Sequence, residues 1–127
     1  MWICLNNAFF SIVEHYEHKD HLLVRSRWPK DINKIWPKEN VEHTPQNDYP
    51  SRAVIKREQV ALAIANKLKN INYTNFKSSA EEIEVTNDDK SRTDAYHDAW
   101  HVINKHGRKG KYNFGKNNNP WPPVFST

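Results

Sequence analysis

Hydrophobic positions follow two rhythms along this chain. Up to residue 57 they gather in short runs between turn-forming residues, as strands do; beyond it they recur every three or four positions, as helices do. Trp2-Ile3-Cys4-Leu5 and Phe9-Phe10-Ser11-Ile12-Val13 flank Asn6-Asn7-Ala8, which predicts a β-hairpin. Both faces of these strands are largely apolar, so cover is expected over at least part of each side of the sheet. A polar run, His15 to Asp20, makes the next turn, and Leu22 to Arg27 a third strand.

Pro29 suits the first turn of a helix, where its missing N–H is no loss. Ile32, Ile35 and Trp36 give that helix an apolar stripe, and Pro37 ends it. Val41 to Thr44 reads as a short edge strand, and Tyr49 to Lys56 as a further one whose start Pro50 confines to an edge. The clearest helix runs from about Glu58 to Lys69, with Val60, Ile64, Leu68 and Ile71 on one face. The acidic stretch Glu81 to Asp89 reads as a surface loop. A last helix from about Thr93 to His106 aligns Tyr96, Trp100 and Ile103, and Gly107 stops it. These elements predict an α+β fold: an antiparallel sheet of four to five strands, a short inserted helix, and two longer helices packed on one face.

Composition changes this picture at one place. The net charge is +4, yet every acidic residue lies at or before Asp98, and residues 1–106 carry 15 basic and 15 acidic groups. The basic excess belongs to the Asn/Pro-rich stretch 107–127, which holds all three glycines. The expected organisation is therefore one charge-balanced domain, 1–106, followed by a basic tail, 107–127. With 37% hydrophobic residues and 12% aromatics, rings should fill much of the core. Cys4 is the only cysteine, which excludes an intrachain disulfide and a cysteine-based zinc site and suits a reducing, cytoplasmic setting. No apolar run is long enough for a membrane span, and no secretory leader is legible.

Catalytic chemistry finds little purchase. Cys4 sits in an apolar strand, where a thiol packs as an inert small hydrophobe. A glycine-rich phosphate loop has no room among three glycines. His97 and His101 share a helical face at metal-ligand spacing, and His15, His18 and His21 could add ligands from the turn, but an obvious third ligand is lacking and solvent-exposed histidines are the preferred reading. No metal and no cofactor are expected, and the chain is read as a non-enzyme.

The more informative segment is Asn72-Tyr73-Thr74-Asn75-Phe76-Lys77, which gathers amides, aromatics and a cation beside the end of the major helix. Arg52, on the strand with Ala53, Val54 and Ile55, could direct a guanidinium at the same region. Cation for phosphate, amide for base edges and ring for base face is the set that holds a nucleotide. Arg52, Tyr73, Asn75, Phe76 and Lys77 are the candidate ligand-binding residues. The competing reading is helix termination by asparagine and a core phenylalanine. Tail lysines with Tyr112, Phe114 and Trp121 could also grip single-stranded nucleic acid.

Several stretches, in order, resemble a family of small phage and bacterial proteins. They are Met1 to Val13, Leu22 to Arg25, Asp48-Tyr49 with Arg52, Ile71 to Lys77, and Asp94-Ala95-Tyr96 with Trp100. The family is that of the Thoeris anti-defence proteins, sponges that sequester a cyclic ADP-ribose isomer. The resemblance implies a phage-type protein that binds and sequesters a nucleotide second messenger without catalysis. It also implies a homo-oligomer acting in the host cytoplasm, with phosphate and base contacts at Arg52 and Phe76. Pro50-Ser51 departs from the family's pattern, as does the tail. The alternatives are an inhibitor that blocks a host defence protein, such as a CRISPR complex, and a nucleic-acid-binding accessory protein.

Overall fold

The computed structural model describes residues 1–87 and 90–108. The tail from 109 onwards, with the aromatic and basic residues considered above, lies outside the described residues. Five strands form one antiparallel sheet: β1 (Trp2–Cys4), β2 (Phe9–Glu14), β3 (His21–Ser26), β4 (Glu42–His43) and β5 (Ser51–Lys56), in the order β1-β2-β3-β5-β4. Four helices accompany them: α1 (Asp31–Ile35), α2 (Arg57–Lys69), α3 (Phe76–Asn87) and α4 (Ser91–Arg108). The α+β class, the antiparallel sheet and the short inserted helix are as expected.

Strand alternation sorts the sheet's residues onto two faces. One face carries Phe10, Ile12, Val24, Ala53 and Ile55, all buried, and α1 and α2 close over it with Ile32, Trp36 and Val60. The Phe10 and Trp36 rings meet at 5.3 Å between centroids. Only the first turns of α2 dock, since Val60 is buried while Leu68 and Ile71 are exposed; the helical stripe read from the sequence outruns the sheet that receives it.

Among the described residues the opposite face is covered only in part: Ser11 is buried on it, Tyr49 is buried under Arg25 and Arg27, and Phe9 is half-buried against Trp28. Trp2, Val13 and Val54 lie exposed on it.

A departure from expectation is α3, a helix where a polar loop was expected. Asn75 starts it by accepting the Ser78 amide at 2.9 Å, an N-cap that satisfies one orphan donor. Its inward face is Phe76, Ala80 and Glu84, spaced by four, with Ala80 and Glu84 buried and Val85 exposed. The usual apolar-in pattern is partly inverted, and only a partner for Glu84 makes that tolerable. Helix α4 supplies it. The Thr93 amide donates to Glu84 Oε2 at 2.9 Å, and the Thr93 hydroxyl donates to the same oxygen. Helix α4 also runs through Gly107 to Arg108 without stopping at the glycine.

The α3–α4 hairpin is fastened to the sheet by a buried ion pair. Asp31, fully buried at the start of α1, receives Arg92 Nη1 at 2.9 Å and Nη2 at 2.6 Å in a bidentate fork. Its carboxylate also accepts the Phe9 amide at 2.9 Å and Lys34 Nζ at 3.2 Å. Burial opposes the Arg92 charge, but the hydrogen bonds and charge of Asp31 outweigh it and hold the guanidinium above its ordinary pKa. Above this pair the Tyr96 phenol donates to the Leu5 carbonyl at 2.8 Å, with the Ala8 carbonyl at 3.0 Å, and so grips the β1–β2 turn.

Candidate functional site

This partly covered sheet face is ordered by strand register. Trp2 pairs with Ser11, Ser11 with Arg25, Arg25 with Arg52, and Arg52 with Glu42, so these five residues form a single row across all five strands. Arg25 and Arg52 are therefore direct cross-strand neighbours. Two like charges directly opposite one another on a sheet destabilise it, by up to about 1 kcal/mol. A third guanidinium joins them: Arg25 and Arg27 lie over the ring of the buried Tyr49, at 4.9 and 4.7 Å from its centroid.

Each arginine is held in place. Arg25 Nη2 donates to Ser11 Oγ at 2.7 Å. Arg52 Nε donates to the Tyr49 carbonyl at 3.3 Å, and its Nη2 lies 3.8 Å from Asp48. The Asp48 side chain is largely exposed, so that contact neutralises little. At the other end of the row Trp2 is 72% exposed and meets Phe9 edge-on at 5.8 Å, and Phe9 meets Trp28 in the same manner at 6.4 Å. The next row on this face is apolar, Val13, Leu23 and Val54. A cation pair, a hydroxyl and an exposed indole thus share one flat surface, the groups that take up a phosphate and an aromatic base.

The residues singled out by sequence divide between two places. Arg52 belongs to the row. Tyr73, Asn75, Phe76 and Lys77 are brought together, but at the start of α3, with each side chain engaged inside the helical hairpin. Phe76 stacks on Tyr96 at 5.4 Å and 27°, and Tyr73 tilts against Phe76 at 6.2 Å. Asn75 is the helix cap, and Lys77 Nζ sits 4.5 Å from the Trp100 ring centroid. The expectation that Arg52 points towards this segment is corrected by the topology. Arg52 stands on β5, with β3 between it and β2, whereas the α3 cluster lies over the β1–β2 turn. Trp2, Arg25, Arg27 and Tyr49 were missed as site residues. The signal was present in Arg25-Ser26-Arg27, whose two arginines must share a strand face, but the cross-strand partner needed a register that only the sheet supplies.

A cavity of about 420 Å³ lies between α1, α3 and α4, lined among others by Asn7, Trp28, Lys30, Lys34, Glu84 and Arg92. Apart from Lys30, its charges engage one another: Arg92 forks to Asp31 and lies near Glu84, and Lys34 donates to Asp31 and to the Asn7 carbonyl at 2.8 Å. The Arg92 guanidinium also covers the Trp28 ring at 4.4 Å. This is a structural junction, in contrast to the row of opposed arginines.

Cys4 is exposed, which corrects the reading of a packed, core-type thiol. Burial of its surroundings nevertheless pushes the thiol above its ordinary pKa, so the nucleophilic thiolate stays scarce at neutral pH. No described helix is long and apolar enough to cross a membrane. Set beside protein-family models, curated proteins and solved structures, the chain matches none of them.

Proposed function

We propose that this protein binds a phosphate-bearing nucleotide signal on its partly covered sheet face and sequesters it without turning it over. The observation that carries this reading is the directly opposed pair Arg25 and Arg52, in one row with the exposed Trp2. A phosphate between the two guanidiniums converts a repulsive cross-strand pair into a clamp, and the indole offers a surface for the base. The ordered resemblance to the Thoeris anti-defence family supports the same ligand class, a cyclic ADP-ribose isomer or a cyclic oligonucleotide. A flat face does not enclose a ligand by itself. A second copy laid over Trp2, Val13 and Val54 would exclude water from it, in keeping with the homo-oligomer that the family implies.

Calorimetry with cyclic ADP-ribose isomers and cyclic oligonucleotides tests the proposal. Saturable binding is expected, at least tenfold weaker in Arg25→Ala and in Arg52→Ala, with the ligand recovered intact after heating. Failure to bind any of these ligands would end the reading. The length of the row also favours a second reading, single-stranded nucleic acid held by charge and stacking. A gel shift that weakens steeply with salt and needs both arginines would select it.

A further inference from the structure

His97 and His101, one turn apart on α4, point their Nε2 atoms at each other across 3.0 Å, with ring planes at 83°. Both residues are exposed. Two nitrogens at this distance share one proton: one Nε2–H donates to the bare Nε2 of the other ring. A metal ion can take that proton's place once the donor ring moves its hydrogen to Nδ1.

The distance selects the geometry. Metal–imidazole bonds of about 2.0–2.1 Å to two nitrogens 3.0 Å apart close at roughly 94°. A tetrahedral ion needs the nitrogens about 3.4 Å apart. The pair therefore fits neighbouring positions of a square or octahedral ion, the preference of Cu²⁺ and Ni²⁺, better than tetrahedral Zn²⁺. Among the described residues no group of three histidine, cysteine or carboxylate side chains converges on a common point, so the remaining positions stay open to water or an added ligand.

Other histidines lack this convergence. His15 Nδ1 already accepts the Glu17 and His18 amides at 3.2 and 3.1 Å. The His15 and His18 rings are stacked nearly parallel, which aims their nitrogens side by side. His21 Nδ1 and His43 Nδ1 are bound to Asp20 and Ser51.

We propose that His97 and His101 form a two-histidine chelate for a borderline divalent transition ion, taking Cu²⁺ most tightly and Ni²⁺ ahead of Zn²⁺. The site is independent of the sheet face and of any ligand bound there. The Trp100 ring lies edge-on to His101 at 5.0 Å, so a paramagnetic ion held by the pair quenches its fluorescence.

Titration of the full, untagged chain with Ni²⁺ and with Zn²⁺, read by calorimetry and tryptophan fluorescence, tests the assignment. The expected result is one Ni²⁺ per chain, with affinity at least tenfold lower in His97→Ala and in His101→Ala and unchanged in His15→Ala. Trp100→Phe should keep the binding and lose most of the quench. Both histidines are exposed, so the variants should keep the fold, and circular dichroism verifies it. A single-histidine variant within twofold of the parent would overturn the chelate. Tighter binding of Zn²⁺ than of Ni²⁺ would overturn the right-angled geometry.

Discussion

Replacing Arg92 with leucine should cost more stability than any exposed ion pair can. The change leaves Asp31 fully buried, with the Phe9 amide and the ammonium of Lys34 as its remaining partners. Breaking a buried pair by removing one member costs roughly 3–5 kcal/mol, because the stranded charge keeps its desolvation penalty. Lys34 is partly exposed and 3.2 Å away, which offsets some of the loss and argues for the lower half of that range. For about 100 ordered residues, an unfolding entropy near 2 cal/mol/K per residue converts this to a fall in Tm of roughly 15–20 °C. Thermal and urea unfolding followed by circular dichroism measures it, with an unchanged urea slope as the check on two-state behaviour. A double variant, Asp31→Asn with Arg92→Met, keeps an acceptor for the Phe9 amide and removes both charges, so it should recover at least half of the loss. The exposed Lys19–Glu14 pair is the control. Its 2.6 Å contact is as short as any in the Asp31 fork, yet Lys19→Ala should leave stability unchanged within error. If Arg92→Leu cost less than about 1 kcal/mol, burial would not be what gives this ion pair its importance, and the reasoning fails.

Ile55→Ala, at a core position 1% exposed, should cost roughly 2–5 kcal/mol, whereas Leu68→Ala on the undocked end of α2 should stay within about 0.5 kcal/mol; equal costs in urea unfolding would contradict the assigned core. Tyr96→Phe should lose about 1–3 kcal/mol by stranding the Leu5 carbonyl, since the Ala8 carbonyl keeps the Leu5 amide at 2.8 Å. Burial pushes the Tyr96 phenol well above its ordinary pKa. Its contribution is therefore complete below the ordinary phenol range and is lost as pH rises through the folded value, which unfolding at increasing alkaline pH would reveal as a loss absent from Tyr96→Phe. Alkylation of Cys4 should show a midpoint pH above that of free cysteine, and a midpoint at or below it would refute the burial effect.

The strands and α2 were legible because each obeys the periodicity of its class. The turn at Asn6-Asn7 and the strand over Leu22 to Val24 stand where their patterns place them, and α2 buries Val60 at the head of its stripe while Leu68 and Ile71 stay exposed. Helix α3 was illegible for a physical reason. Its apolar stripe is short, Phe76, Ala80 and Ile83, and the buried Glu84 and the exposed Val85 break it, so the segment read as polar. The information needed to bury Glu84 sits on another helix, at Thr93 and Arg92, and no window along the chain contains both sides of that contact. The candidate site shows the same limit. Arg52 was visible as a cation on a strand, but its pairing with Arg25 spans 27 positions and depends on the register of β3 against β5.

Charged residues break the apolar-inside, opposite-charges-adjacent rules at two places here, and the two differ in where the compensation comes from. Asp31, Glu84 and Arg92 are buried charges, and the chain itself answers each of them: fork to carboxylate, carboxylate to helix N-terminus, guanidinium over indole. Such a network closes on itself and fixes how the α3–α4 hairpin meets the sheet. Arg25 and Arg52 are cross-strand neighbours whose close contacts are Ser11, the Tyr49 ring and carbonyl and a loosely placed Asp48, with Glu42 beside Arg52 on the edge strand. On the proposed reading an anion from outside relieves the repulsion between them. Residues 1–106 carry equal numbers of acidic and basic groups, so their summed charge adds little long-range attraction for such an anion. On that same reading, recognition rests on short-range geometry, with a phosphate between two guanidiniums and a ring on Trp2. The expected signature is weak salt dependence for a small nucleotide combined with strong dependence on either arginine.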